Sequence, residues 1–339
     1  MALIAVAADK GAPGVTTTAL ALAAVWPRPV LLAECDPAGG DLVYRFPASG
    51  GERLDPRRGL LSLAVAARRG LQPHQAWEHT QKLNGGLDIL TGVTSAEQGA
   101  GLNLLWGPVG RVLAGNSQAD VIADCGRLGT DGPHYDLLAE AALVILVTRA
   151  SLGEVVRLRE RVTAVAAALR KRGRTGAGAE VVVIADHKNL RNAIAEIGQA
   201  LEPASARARI VGGLAEDPRG ADLLRGEWGG KLDKSLLIRT ARDIAERLVG
   251  RLPAGPVPAA DREPDRGPNP GQPAPPSPEP DRGHDPGQPA PPSAGPVPAT
   301  DDEPVVSAAT WAASTGARHA AARGYPPLAG DPSPGLPGR

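Results

Sequence analysis

The stretch Ala8-Asp9-Lys10-Gly11-Ala12-Pro13-Gly14-Val15-Thr16-Thr17-Thr18 decides how this chain is read. It follows the apolar run 3–8 and opens the Ala/Leu-rich run 16–25, so it lies where a buried strand hands over to a helix. Glycines at such a junction let backbone N–H groups turn toward an anion, and the start of the helix adds a favourable field. A phosphate-binding loop ends in Gly-Lys-Ser/Thr, because the ammonium reaches the outer phosphates and the hydroxyl holds Mg²⁺. Here Val15 stands in the lysine's place, and the lysine that remains is the earlier Lys10. The loop is expected to cradle a nucleotide with its usual charge stabilisation gone. Taken alone, the pattern equally fits a tight strand-to-helix connection.

Outward from this loop, short apolar runs predict strands over 3–8, 30–34, 120–124, 143–148 and 180–185, with a further one over 87–90. Longer amphipathic or apolar stretches between them predict helices over 16–25, 60–69, 154–172, 190–201 and 236–248. Alternation of this kind predicts an α/β fold, a doubly wound and mostly parallel sheet with helices on both faces. The folded domain is expected over 1–251. Beyond it the composition changes: most of the 34 prolines follow Leu252, and EPDRGPNPGQPAPPS at 263–277 recurs as EPDRGHDPGQPAPPS at 279–293. A segment so rich in proline favours extended polyproline II and cannot bury a core, so 252–304 is expected to be a disordered linker. The remainder, 305–339, is expected to be mostly disordered tail with a short Ala-rich helix over 305–323. The proline-rich part reads as a plain spacer or as a ligand for aromatic grooves on a protein partner.

Composition also excludes several functions. A formal net charge of +0 supplies no global field toward nucleic acid or an anionic membrane. Two cysteines, Cys35 and Cys125, exclude a disulfide framework, and the six histidines show no zinc-ligand spacing. No stretch approaches the ~20 apolar residues of a transmembrane segment, and 2–8 is too short for a signal peptide, so a cytoplasmic protein is expected.

Residues 10–17 resemble the deviant Walker A loop of the ParA/MinD family of P-loop ATPases, Lys-Gly-Gly-x-Gly-Lys-Thr-Thr. Lys10, Gly11, Gly14, Thr16 and Thr17 match it, whereas Ala12 replaces a glycine and Val15 the P-loop lysine. Pro13 occupies the variable place. Leu31-Leu32-Ala33-Glu34-Cys35-Asp36-Pro37 resembles the family's second-strand motif, with Glu34 and Asp36 at its two acidic positions. Ala119–Gly126 resembles its Walker B strand and ends on Asp124; Gly126-Arg127 stands where the family has two prolines. Residues 143–152, 185–189 and 215–217 lie where later strand ends and base-contacting loops occur, the proline before Asp217 being absent.

The resemblance implies the P-loop NTPase fold, ATP with Mg²⁺ as cofactors, and a homodimer. It implies nucleotide contacts by Lys10, Gly11, Ala12, Pro13, Gly14, Val15, Thr16 and Thr17, with Lys10 reaching across to the partner's nucleotide. Thr16, Asp36 and Asp124 would serve Mg²⁺, and Asp36 and Lys10 would be catalytic. The function implied is a spatial-positioning or scaffold factor that binds ATP with weak or no hydrolysis. An active ATPase for partitioning, septum placement or secretion-machinery positioning is the alternative, and a synthetase of the same superfold is a third reading. The residues do not choose between ATP and GTP. Arg127 is either a phosphate neighbour or a solvated side chain, and Cys35 and Cys125 either a redox pair or buried packing. The arginines of 157–174 and the pair Arg68-Arg69 fit either nonspecific DNA contacts or a solvated face laced with Glu154 and Glu160.

Overall fold

The computed structural model describes residues 1–9, 14–129, 132–174, 178–202, 207–224 and 231–253. Lys10–Pro13 of the first loop, and everything expected of the tail from residue 254 onward, lie outside the described residues.

Eight strands form one sheet: β1 (Leu3–Ala8), β2 (Val30–Glu34), β3 (Gln81–Lys82), β4 (Asp88–Leu90), β5 (Asp120–Arg127), β6 (Leu143–Arg149), β7 (Ala179–Ala185) and β8 (Ala208–Ala215). Their order is β3-β4-β2-β5-β1-β6-β7-β8. Every pairing is parallel except that of the edge strand β3 with β4. The doubly wound, mostly parallel α/β sheet expected from the sequence is the fold observed.

Because side chains alternate along a strand, β1 feeds two separate cores. Ile4, Val6 and Ala8 join the layer of α1 (Val15–Val25) and α10 (Leu236–Val249). Leu3, Ala5 and Ala7 join the opposite layer, built on α3 (Leu60–Arg68), α5 (Trp106–Ala114), α6 (Tyr135–Glu140), α7 (Leu152–Lys171) and α8 (Leu190–Leu201). All six β1 residues are buried, as a central parallel strand requires. The packed chain runs slightly past Arg251: Leu252 is buried, and the Pro253 carbonyl accepts from Arg28 Nη1 at 2.9 Å.

Two elements escape sequence reasoning for identifiable reasons. Gly212 and Gly213 interrupt the apolar pattern of β8, yet helices lie flat on the strand there. A Cβ on Gly213 would come 2.6 Å from Leu190 Cδ1, and one on Gly212 would come 3.0 Å from Ile244 Cγ1. Pro108 argues against a helix over α5, but it occupies the first turn, where its missing N–H is no loss. The short elements α2 (Leu42–Arg45), α4 (Ala96–Gly101), α6 and α9 (Pro218–Leu224) carry too few residues for a periodic signal.

His134 starts α6 against Trp106 and Tyr135, with ring centroids 6.2 and 5.6 Å away. Burial, aided by the Arg172 charge, pushes its imidazole down to about 4 from the ordinary 6.5. The unfolded chain therefore binds the extra proton first. The contribution of neutral His134 is intact above pH 6.5 and is lost as pH falls toward 4. His134→Phe is expected to gain stability relative to wild type by about 2–3 kcal/mol as pH is lowered from 7 to 4, read as the variant-minus-wild-type difference in urea denaturation. A constant difference across that range would contradict a buried neutral imidazole.

Candidate functional site

The site lies at the carboxyl edge of the sheet, where β1, β2 and β5 end side by side. Register places Asp124 opposite Glu34 on β2 and opposite Val6 on β1. Gly14 caps α1 in the left-handed conformation, φ 73°, and among the described residues no capping side chain bonds the helix's first N–H groups. That leaves donors and a positive helix end open for an anion. Thr16, the second residue of α1, places its hydroxyl beside the Asp124 carboxylate, where it favours the charged form, and that carboxylate accepts from the Gly126 N–H at 3.0 Å. Asp124 is 1% exposed, and burial pushes its carboxyl up to about 6, with the Thr16 and Gly126 hydrogen bonds opposing and Asp36 adding to the rise.

Asp36 comes from the loop after β2 and is half-buried. Its Oδ1 accepts from the Ala38 N–H at 2.8 Å in a tight turn. Burial raises its carboxyl above the usual range, while the Ala38 bond and the Arg127 charge pull it back. The chain beyond Asp124 bulges, so that Val6 and Ala8 on β1 face Asp124 and Arg127 on β5. At this bulge Gly126 has φ 57°, and a Cβ there would lie 1.9 Å from Asp36 Oδ2. Gly126 is thus what lets the Asp36 carboxylate lie against the end of β5. Gly126→Ala is expected to push Asp36 aside and to cost about 1–3 kcal/mol of stability, read by urea denaturation; an unchanged midpoint would contradict this packing.

Solved structures share this architecture at low sequence identity. MinD, the cell division ATPase of Pyrococcus furiosus, is 17% identical, over 74% of this chain and 99% of its own, with a TM-score of 0.54. A ParA family ATPase of Chlorobium tepidum is 18% identical, over 72% of this chain and 98% of its own, with a TM-score of 0.54. McdA of Cyanothece, as an ATP complex, is 18% identical, over 74% and 96%, with a TM-score of 0.55. The chain has the fold of the MinD and ParA ATPases. No family model and no curated protein matches its sequence.

Against the ParA/MinD pattern, the residues divide. The structure brings together Gly14, Thr16, Asp36 and Asp124, while Lys10, Gly11, Ala12 and Pro13 lie outside the described residues. Val15 is 2% exposed and packs within the α1 and α10 core. Thr17 lines a cleft of about 210 Å³ beside Gly14. Glu34, at the first acidic position of the motif, is structural. It accepts from the N–H groups of Leu42 at 3.2 Å and Gly92 at 2.9 Å, and burial pushes it up to about 7. Asp217 is also structural, accepting from Gly220 at 2.9 Å and from Leu236 and Leu237 at 2.9 and 3.3 Å, so that it holds the start of α10. Asp186 and Asn189 line an outer cleft of about 440 Å³ beyond β7. Arg127 is exposed and bears on Asp36.

Cys35 and Cys125 are both buried, burial raises both thiols far above the ordinary range, and the Cys35 charge adds to the rise at Cys125 while nearby carboxylates add to that at Cys35. Both are therefore protonated thiols at neutral pH, a state poor in nucleophilicity.

Much of the α7 arginine cluster is spent within the molecule. Arg161 bonds Asp9 at 2.7 Å and also the Gly129 carbonyl, and Arg172 bonds Asp136 at 2.6 Å. Arg174 holds the carbonyls of Ala139 at 3.0 Å and Ala141 at 2.6 Å. These three guanidiniums tie helices and loops together; sequence spacing cannot show this, because Asp9, Gly129, Asp136, Ala139 and Ala141 all lie off α7. Among the described residues no helix is long and apolar enough to cross a membrane.

The donor set suits a nucleotide with Mg²⁺. Open helix N–H groups suit phosphate oxygens, and a hydroxyl with two carboxylates suits a hard cation. Among the described residues no group of three or more His, Cys, Asp or Glu converges on a metal site. A cation here would accordingly draw its remaining ligands from phosphate and water, as Mg²⁺ prefers.

Proposed function

We propose that the chain binds a nucleoside triphosphate with Mg²⁺ at the start of α1 and serves as a spatial-positioning or scaffold factor of the ParA/MinD type, with weak or no hydrolysis. The observation that carries this reading is the buried Asp124 carboxylate beside the Thr16 hydroxyl at the left-handed start of α1. Thr16 and, through water, Asp124 would hold the cation, which when bound would neutralise charge on the phosphates. Asp36 would orient a water beside them. Val15 supports the slow or absent turnover: it places an apolar side chain in the core where an ammonium would meet the transferred phosphoryl group. Losing one such stabiliser typically costs ~3–4 kcal/mol in the transition state, or several hundredfold in rate.

The ATP complex of Cyanothece McdA supports ATP as the nucleotide to test first. Dimerisation through Lys10, and recruitment of a protein partner by the proline-rich segment, belong to the same reading. Calorimetric titration with ATP, with and without Mg²⁺, should show Mg²⁺-dependent binding, and a phosphate-release assay should show turnover near background. Retention of Asp36 favours the second reading, an active ATPase. Turnover clearly above background that disappears in Asp36→Ala would establish that reading instead, and absence of nucleotide binding would dismiss both.

A further inference from the structure

One ion pair divides the trench along the carboxyl edge of the sheet. Arg149 ends β6, Glu216 follows β8, and Arg149 Nη1 lies 2.5 Å from Glu216 Oε1 across the end of β7. Both side chains line the inner cleft, which also holds Gly14, Thr17 and Thr18, and the outer cleft, which holds Asp186 and Asn189. Among the described residues lining the inner cleft, Arg149 is the only basic one.

The backbones of both partners are pinned. The Arg149 N–H donates to Glu154 Oε2 at 2.9 Å, and the Glu216 N–H donates to the Ala185 carbonyl at 2.8 Å. Only the long side chains span the trench, and they are 41% and 43% exposed. A pair this exposed is weakly held, so a better anion can replace the carboxylate. The neighbouring Asp217 is saturated by three backbone N–H groups and does not compete for the guanidinium. A planar guanidinium matches phosphate oxygens in a bidentate fork, which a carboxylate also satisfies.

We propose that Arg149 is the phosphate-binding cation of this cleft, and that Glu216 occupies it as an internal carboxylate until the phosphates of a nucleotide displace it. Resting on the nucleotide-binding reading above, this names the charge that compensates for Val15 and gives the free protein a built-in competitor for its own ligand.

Mg²⁺-ATP titrated calorimetrically into the full chain and its variants tests the inference. Arg149→Ala is expected to weaken binding ~10–100-fold, with Arg149→Lys recovering part of the loss. Glu216→Gln is expected to tighten binding by roughly threefold. Binding by Glu216→Gln but not by wild type would support the competitor role in its strongest form. Arg149→Ala within twofold of wild type, while Asp124→Asn loses affinity, would overturn the inference and leave nucleotide binding standing. An unchanged or weaker Glu216→Gln would overturn the displacement even if Arg149→Ala did not fold. No binding by wild type or by Glu216→Gln would overturn both readings together.

Discussion

Asp124→Asn is expected to make the ligand-free protein more stable and, at the same time, to weaken Mg²⁺-dependent nucleotide binding by ~10–100-fold. Burial raises the Asp124 carboxyl to about 6 from an ordinary 3.8, so the folded state holds its proton more tightly than the unfolded chain does. Stability therefore falls as pH rises from about 4 to about 6, and above that range the full penalty of a buried charge remains. A shift of this size corresponds to about 2–3 kcal/mol. Asparagine is nearly the same shape, keeps an oxygen to accept from the Gly126 N–H, and carries no charge. The gain should thus appear at pH 7.5 and fade below pH 4, read as the difference in urea denaturation between variant and wild type. A variant that is less stable at pH 7.5 would mean that the carboxylate is already compensated without a ligand. A variant that is more stable yet binds Mg²⁺-ATP as wild type does would remove Asp124 from the site.

At the opposite end of the same strand the sign reverses. Asp120→Ala is expected to destabilise the protein by about 3–5 kcal/mol, a large part of the roughly 5–15 kcal/mol that holds a typical domain together. Asp120 is 0% exposed and fully engaged: Oδ1 accepts from the Ala2 N–H at 2.8 Å, and Oδ2 from Trp26 Nε1 at 2.9 Å. Arg28 Nε lies 2.8 Å from the same Oδ2. One carboxylate thus joins the start of β1, the end of α1 and the approach to β2 at the head of β5. Removing it strands a largely buried guanidinium and two buried N–H donors, whose desolvation is then unrecovered. The denaturation midpoint of Asp120→Ala should fall sharply with little change in the denaturant slope. A loss under 1 kcal/mol would show that water reaches these groups. The two acids share strand and burial but differ in partners. Asp120 meets a cation and two donors, whereas Asp124 meets one backbone donor and the charges of Asp36 and Asp41.

Near-continuous apolar runs made the central strands legible, because a parallel strand buried on both faces has no polar side to confuse its pattern. The ends of those strands were legible too, since Asp36 and Asp124 follow apolar runs directly. Less visible were β8 and α5, in which Gly212, Gly213 and Pro108 read locally as breakers. Their justification is a neighbouring helix or a first-turn position, and neither is a local property. The roles of Glu34 and Asp217 were hidden for the same reason: each sits at a motif position, but its hydrogen-bond partners lie 8 to 58 residues away for Glu34 and 3 to 20 for Asp217.

The central strands, the longer helices between them, the residues of the junction at Gly14 and the substitution at Val15 are settled by the sequence alone, because periodicity and residue type are local. Tertiary structure decided which charges are tied into the fold and which stay half-exposed. Arg161, Arg172 and Arg174 are consumed by loops and helices brought beside α7, whereas the Arg149 guanidinium is paired, among the described residues, with a half-exposed Glu216. Whether a charge is satisfied depends on what the fold places within about 3 Å of it, and that distance has no counterpart along the chain.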